Sequence, residues 1–449
     1  LEIPLEKQSG IPLYLQISEH LERMILNGAI PEGSRLPSSR ELACSLSVSR
    51  TTVIEAYRNL EDAGFVLQKG RSGAYVCWKS VDGDCRPHNV KIRWDLASGD
   101  PSPDLIPFCA LSRISRDLFQ GMEPETLILS DPEGVPELRR ELVSHAVSRG
   151  IPARWDEVFV TSGGREGLSL SMAALKSSGI KKLWMEELTY PDAVVIARSH
   201  GLQLGVIPMD MEKLAKLTDQ LGSSDALYLV PSFQNPTGRI LPSEIRRIIL
   251  DTSMKRGFWI LEDDAYGELR YGETAVPALK SMVGADKVIY LGSFSQALFP
   301  GLRLGYSLLP FSIRQHWKRH QTQGSGPVSS LVQFMVMNFI REGCLEESLT
   351  TARLTIASRM KALVKALNRY LPGSSFSVPE GGIYLWLKIP GLDGDRAQDL
   401  ALSRGISVVS GNRFSWTGKP QEAVRLTVSS VESSSMERVA RELRSVWSP

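Results

Sequence analysis

Residues 257–266 read GFWILEDDAY, an apolar run from Phe258 to Leu261 that ends in Glu262, Asp263 and Asp264 and is followed by Tyr266. Such a short unbroken run predicts a strand buried on both faces, and acids at its carboxyl end stand where ligands bind in open α/β sheets. Three more runs have the same form: EVFVTSGG (157–164), DALYLVPS (225–232) and KVIYLGSF (287–294). Amphipathic stretches separate them, so the large C-terminal part of the chain is predicted to be α/β. Each strand end carries polar residues suited to a ligand. Thr161-Ser162-Gly163-Gly164-Arg165 leads into an apolar helix whose N-terminus can receive a phosphate, although alone it reads more readily as a plain turn. Ser232-Phe233-Gln234-Asn235-Pro236-Thr237-Gly238 is by itself an Asn-initiated turn. Ser293 and Arg303, ten residues apart around Pro300-Gly301, offer a hydroxyl and a guanidinium to one anion.

Toward the N-terminus the texture changes. The stretch KSVDGDCRPHNVKIR (79–93) is polar and lacks helical or strand period, which predicts a linker between a head (1–78) and a body (94–449). In the head, residues 14–26 place Leu15, Ile17, Leu21, Met24 and Ile25 near one helix face. Ser38 and Glu41 form a capping box for a second helix, and Ser47 or Ser49 can cap a third through Val53, Tyr57 and Leu60. Residues 65–76 then read as a hairpin with Lys69, Gly70, Arg71 and Gly73 at its tip, completing the pattern of a winged helix-turn-helix. Residues 35–79 hold seven Lys/Arg against four Asp/Glu, whereas residues 1–34 hold two against five. The positive charge therefore lies on the half that would face DNA. A winged helix serving as a protein–protein module is the other reading of the same pattern.

The 449 residues exceed what one hydrophobic core supports, and 42% apolar with 23% charged residues fits a folded, soluble chain. With 52 basic and 50 acidic residues, a nucleic-acid surface must be local. Five scattered cysteines without C-x-x-C spacing argue against a disulfide framework and predict a reducing, cytoplasmic location. Neither a secretory leader nor an apolar run of membrane-spanning length is visible, so no membrane partner is expected. His316 and His320 sit four apart, but HWKRH lacks the H-E-x-x-H glutamate and reads better as a basic surface helix, leaving no metal site.

Residues 10–76 resemble a GntR-type DNA-binding domain over its whole length. The resemblance implies that Arg40 and Arg50 are the principal contacts to double-stranded operator DNA, supported by Ser38, Ser49, Thr51, Thr52, Lys69, Arg71 and Gly73. Ile54 stands where some relatives carry a further arginine. The ordered body motifs resemble fold-type I pyridoxal-phosphate aminotransferases from about Trp94 onward, which implies a large mixed-sheet domain and a smaller α+β domain. By that resemblance Gly163, Gly164, Ser293 and Arg303 hold the cofactor phosphate, Tyr190 stacks on the pyridine ring, and Asn235 and Tyr266 bond its phenolic oxygen. Asp263 pairs with the ring nitrogen, and Arg425 grips a ligand carboxylate. Head plus body is similar to the MocR family of bacterial transcription regulators, implying a homodimer that occupies DNA in the nucleoid and responds to a small-molecule effector.

One departure decides the expected activity. The family pattern S-F-S-K followed by P-G-L-R-L-G appears as Ser293-Phe294-Ser295-Gln296 with residues 300–305 intact, so Gln296 replaces the Schiff-base lysine. A carboxamide has no basic lone pair with which to condense with an aldehyde. The body is therefore expected to be catalytically inactive. Two readings of its pocket remain open. Either pyridoxal phosphate or pyridoxamine phosphate, alone or as an amino-acid adduct, binds non-covalently, or the pocket takes another phosphate- or carboxylate-bearing ligand. A pyridoxal-phosphate-dependent aminotransferase with a fused regulatory head is the competing function.

Overall fold

The computed structural model describes residues 3, 5, 12–26, 30, 33–46, 48–62, 65–68, 73–77, 91–121, 123, 131–208, 210–272, 276–324 and 326–447. Lys69, Arg71, Ser47 and the linker stretch 79–90 lie outside the described residues. The chain divides into two compact units, residues 1–90 and 91–449.

The first unit contains three helices, Leu13–Leu26, Ser39–Leu46 and Arg50–Asp62, and a hairpin of Val66–Gln68 with Ala74–Val76. Local chemistry sets the helix starts. Ser38 N–H donates to Glu41 Oε2 at 2.8 Å while Glu41 N–H donates to Ser38 Oγ at 3.2 Å, the expected capping box. Of the two serines that could cap the third helix, Ser49 does so, accepting from Thr52 N–H at 3.1 Å. Ile17, Leu21, Val53, Ala56, Leu60 and Val76 close one small core. Residues 33–36 add a third edge to the hairpin: Leu36 N–H donates to Ala74 O and Val76 N–H to Ser34 O. Together these elements are the winged helix-turn-helix.

The second unit is built on a seven-stranded sheet. Its spatial order is Val158–Thr161, Gly305–Leu308, Val288–Ser293, Trp259–Asp263, Asp225–Leu229, Lys182–Glu186 and Gln203–Ile207. Gly305–Leu308 runs antiparallel to both neighbours and the remaining pairs are parallel, so the sheet is mixed. Helices cover both faces, which is why Val158–Thr161 and Gly305–Leu308 are buried at every position. A large core including Leu168, Met172, Tyr228 and Leu261 lies on one face, and a second including Leu227, Ile249, Phe258 and Ile260 on the other. A smaller antiparallel sheet joins Tyr384–Lys388, Ala423–Thr427 and Val409–Ser410. The 27-residue helix Cys344–Tyr370 packs with Met436–Trp447 in this smaller α+β part. At the start of the body Trp94–Asp95 pairs in parallel with Ile406–Ser407, carrying residues 96–101 to the junction of the two sheets.

Among the described residues no helix is long and apolar enough to cross a membrane. Nor does any cluster of three or more metal-ligating side chains occur among them. His316 and His320 instead converge on one hydroxyl, Ser177 Oγ, each at 3.1 Å.

Candidate functional site

The first helix after strand Val158–Thr161 spans Gly164–Ser177, and its first-turn N–H groups have no carbonyl partners inside the helix. Gly163 precedes it at φ 83, a conformation open to glycine, and no side chain caps the helix. Arg303 reaches this end. Its backbone is left-handed (φ 49, ψ 43), and its Nη2 donates to Ser162 O at 2.9 Å. A Cβ on Gly163 would lie 3.5 Å from the Arg303 guanidinium, and one on Gly164 would lie 3.5 Å from Ser293 Oγ. The four expected phosphate residues thus share one cup. Their contributions differ, because the Gly163 N–H is already spent on Thr161 O at 2.8 Å. Gly163 supplies room, whereas the helix end, Ser293 and Arg303 supply donors.

The carboxyl end of strand Trp259–Asp263 presents Asp263, which accepts a hydrogen bond from Tyr228 OH at 2.8 Å. Burial raises the Asp263 carboxyl to about 6, against the opposing effect of the Tyr228 bond. Tyr190 donates to Asp192 Oδ2 at 2.8 Å, and Arg165 pairs with that same oxygen at 2.8 Å, so the ring expected to stack is tethered through its hydroxyl. Tyr266 OH lies 2.9 Å from Tyr384 OH.

Arg425, on strand Ala423–Thr427, is buried beside these groups. Nη1 donates to Asn235 Oδ1 at 3.2 Å and Nη2 to Ala97 O at 2.7 Å, while Nε is buried without a partner. The guanidinium stacks 4.3 Å from the Tyr384 ring centroid and 5.0 Å from that of Phe414. No carboxylate among the described residues pairs with it. The desolvation of this buried cation is offset by neutral groups and aromatic faces and by no opposite charge among the described residues.

Gln296 follows the Ser293–Ser295 turn and lines a narrow cavity with Pro101, Leu105, Ile356, Ile383 and Ser429. Its Oε1 is buried and has no partner. No side-chain amine stands at this position. Cup, carboxylate, tyrosines and guanidinium fit the phosphate, ring and carboxylate of a pyridoxal-phosphate-type ligand, and none of them lines the cavity beside Gln296.

Tyr228, Tyr384, Asp192 and Phe414 were not among the residues expected from sequence. Tyr228 lies within the quoted run DALYLVPS and Asp192 two residues after Tyr190, whereas Tyr384 and Phe414 reach the site through tertiary packing. Behind the site, Glu268 would be raised by burial, yet His145 and Arg149 hold its carboxyl down to about 2. Arg246 is fully buried and donates to the carbonyls of Leu241, Pro277 and Pro231, the last at the root of the Asn235 loop. Arg246→Met is expected to destabilise the body by roughly 2–4 kcal/mol, since three buried carbonyls lose their donor. Urea unfolding measures this, and an unchanged midpoint would contradict it.

In the head, Ser38, Arg40, Arg50 and Thr51 are exposed along the starts of the second and third helices. Arg50 Nε donates to Ser39 Oγ at 3.2 Å, and Ser49 Oγ also meets Thr51 Oγ1 and Thr52 Oγ1. Gly73, with φ 103, stands at the described end of the wing.

The two units define a protein class: a GntR-type winged-helix DNA-binding head fused to a fold-type I aminotransferase body. Residues 91–443 match the family described as aminotransferase class I and II, and residues 13–76 match bacterial regulatory proteins of the gntR family. The chain belongs to the class I and II aminotransferase family, with a gntR-family head. It is 28% identical over 461 residues to the "Uncharacterized HTH-type transcriptional regulator YisV" of Bacillus subtilis (strain 168), covering 94% of this chain and 93% of that one. It is 25% identical over 470 residues to the "Probable rhizopine catabolism regulatory protein MocR" of Rhizobium meliloti, covering 99% and 95%. Among solved structures it is similar to LysN, the alpha-aminoadipate aminotransferase of Thermus thermophilus, complexed with N-(5'-phosphopyridoxyl)-L-leucine. That likeness has a TM-score of 0.71 at 27% identity and covers 79% of this chain and 91% of that chain.

Proposed function

We propose that this protein is a transcription regulator whose body binds a small pyridoxal-phosphate-type ligand non-covalently and uses its occupancy to control the DNA-binding head, without catalysing transamination. The observation that carries the reading is the buried Arg425 guanidinium, bonded to Asn235 and paired with no carboxylate among the described residues; the sequence Ser293-Phe294-Ser295-Gln296, which has no lysine, supports the absence of transamination. The full-length regulators YisV and MocR support the regulatory half. LysN, in complex with a phosphopyridoxyl amino acid, supports a ligand that joins the cofactor to an amino acid.

When bound, a pyridoxal-phosphate group supplies an electron-accepting ring with a reactive carbon. Within this chain, Arg303, Ser293 and the helix end hold its phosphate, ionised Asp263 pairs with the ring nitrogen, and Arg425 receives the amino-acid carboxylate. Asn235 and Tyr384 hold the Arg425 guanidinium in place from either side. The proposal includes pairing of two copies, which brings two heads to two half-sites. Control then requires that the ligand bind one arrangement of the dimer more tightly than another.

Titration of the purified full chain with pyridoxal phosphate, followed by intrinsic fluorescence and then borohydride treatment, tests the reading. Saturable binding is expected, and after borohydride and denaturation the cofactor should be released as its free alcohol, pyridoxine phosphate, and not remain attached to the chain. Affinity should fall below pH 6 by up to about tenfold per unit, because protonation removes the Asp263 charge that the ring nitrogen requires. The ligand phosphate titrates in the same range, so Asp263→Asn, which lacks the titrating carboxyl, isolates the Asp263 part. Cofactor fixed by borohydride at the body site, or multiple turnovers of an amino acid to its keto acid, would overturn the proposal.

A further inference from the structure

The head contains a basic residue whose position has a structural cause. Arg35 lies in the edge segment paired with the wing, where it forms a bridge with Tyr75. The residue is exposed. Its side chain lies against Gly73: a Cβ on that glycine would sit 3.0 Å from Arg35 Nε and 3.4 Å from Nη2. Beyond it stands Glu41, held by Ser38 in the capping box and lowered in pKa chiefly by the Ser38 bonds, with a smaller electrostatic part from Arg35. Arg35 forms no ion pair among the described residues. Its guanidinium is thus confined between the wing and the start of the second helix, on the element that leads into Arg40.

We infer that Arg35 is a further DNA-contacting residue, a phosphate clamp at the foot of the wing, and that a methyl group at position 73 would press on its guanidinium. The chemistry points to phosphate. A guanidinium offers a planar fork of donors suited to phosphate oxygens, and this one lies beside Gly73 of the wing. Base readout needs a residue projecting into a groove, and Arg40 and Arg50, on helices, are better placed for that. The two glycine requirements at position 73 are separable. Its positive φ strains any side chain, whereas the close approach of Arg35 concerns only a substituent that displaces the guanidinium.

The inference rests on the DNA-binding reading, and the test separates the two. The probe is a duplex selected by the full-length protein from a randomised pool, with a scrambled duplex of equal length as control. If the unmodified protein retards neither duplex, the DNA-binding reading fails before Arg35 is at issue. Given binding, Arg35→Ala is expected to weaken association about tenfold on both duplexes. It should also reduce the magnitude of the slope of log K against log salt by about 1.8, the loss of one phosphate contact from each of two heads. Arg35→Lys should retain the salt slope. Gly73→Ala should weaken binding by less than Arg35→Ala does, because the exposed guanidinium need shift by only a few tenths of an ångström. Thermal unfolding of each variant confirms that the head is folded. Unchanged affinity and slope for a folded Arg35→Ala variant would overturn the inference. So would loss confined to the selected duplex, which would mean base readout.

Discussion

Gln296→Lys is expected to convert a reversible ligand site into one that holds pyridoxal phosphate covalently. The replaced side chain stands directly after the Ser293–Ser295 turn, on the loop that also supplies a phosphate-cup hydroxyl, and it lines a cavity rather than closing a packed layer. Its carboxamide makes no hydrogen bond that the substitution would break, and its Oε1 is already buried without a partner. A lysine there would be partly desolvated, which lowers its pKa and raises the fraction of neutral, nucleophilic amine. The variant incubated with pyridoxal phosphate should show a new visible absorption band and become irreversibly labelled on borohydride reduction, with the label on residue 296. Under the same conditions the unmodified chain should carry no label there. The difference is qualitative, stoichiometric labelling against none. A variant that binds the cofactor reversibly but is never labelled at 296 would show that Gln296 does not occupy the attachment position.

The regular parts of this molecule are those in which neighbouring residues decide the outcome. Ser38 and Glu41 form a box because they are three apart, and the buried strands stand out because helices on both faces demand apolar residues at consecutive positions. The phosphate cup was partly legible for the same reason, since Gly163 and Gly164 sit at a strand-to-helix turn. The other side of the site was not legible from the residues alone. Arg425 bonds Asn235 across 190 positions and Ala97 across 328, and Tyr384 reaches Tyr266 across 118. No local period encodes those meetings. Gly73 shows a related blind spot: the pattern marks it as a wing glycine, while its close neighbour is the side chain of Arg35, 38 positions earlier in the chain. His316 and His320 show the reverse case, a spacing with a metal-like look that folding resolves into two bonds to Ser177.

Arg50→Ala is expected to abolish discrimination between a selected duplex and a scrambled one while leaving weaker, salt-sensitive association in place. Arg50 opens the third helix of the head, and its Nε bond to Ser39 Oγ ties it to the second helix, so the guanidinium starts from a defined direction. Ser49 Oγ is engaged with Thr52 N–H and with both threonine hydroxyls, which leaves Arg50 the strongest donor at this helix start. An arginine reading a guanine edge through two parallel bonds contributes about 1–3 kcal/mol of discrimination per base pair, and a dimer presents it twice. Affinity for the selected duplex should therefore fall by about one to four powers of ten. The change for the scrambled duplex should stay near that of losing one phosphate contact per head. Thr51→Ala should cost less, because its hydroxyl is already shared with Ser49. The competition gel shift that checks this uses the two duplexes in the same lane set. If Arg50→Ala weakened both equally, Arg50 would be a backbone contact, and the reading of sequence would have to pass to Arg40 on the preceding helix.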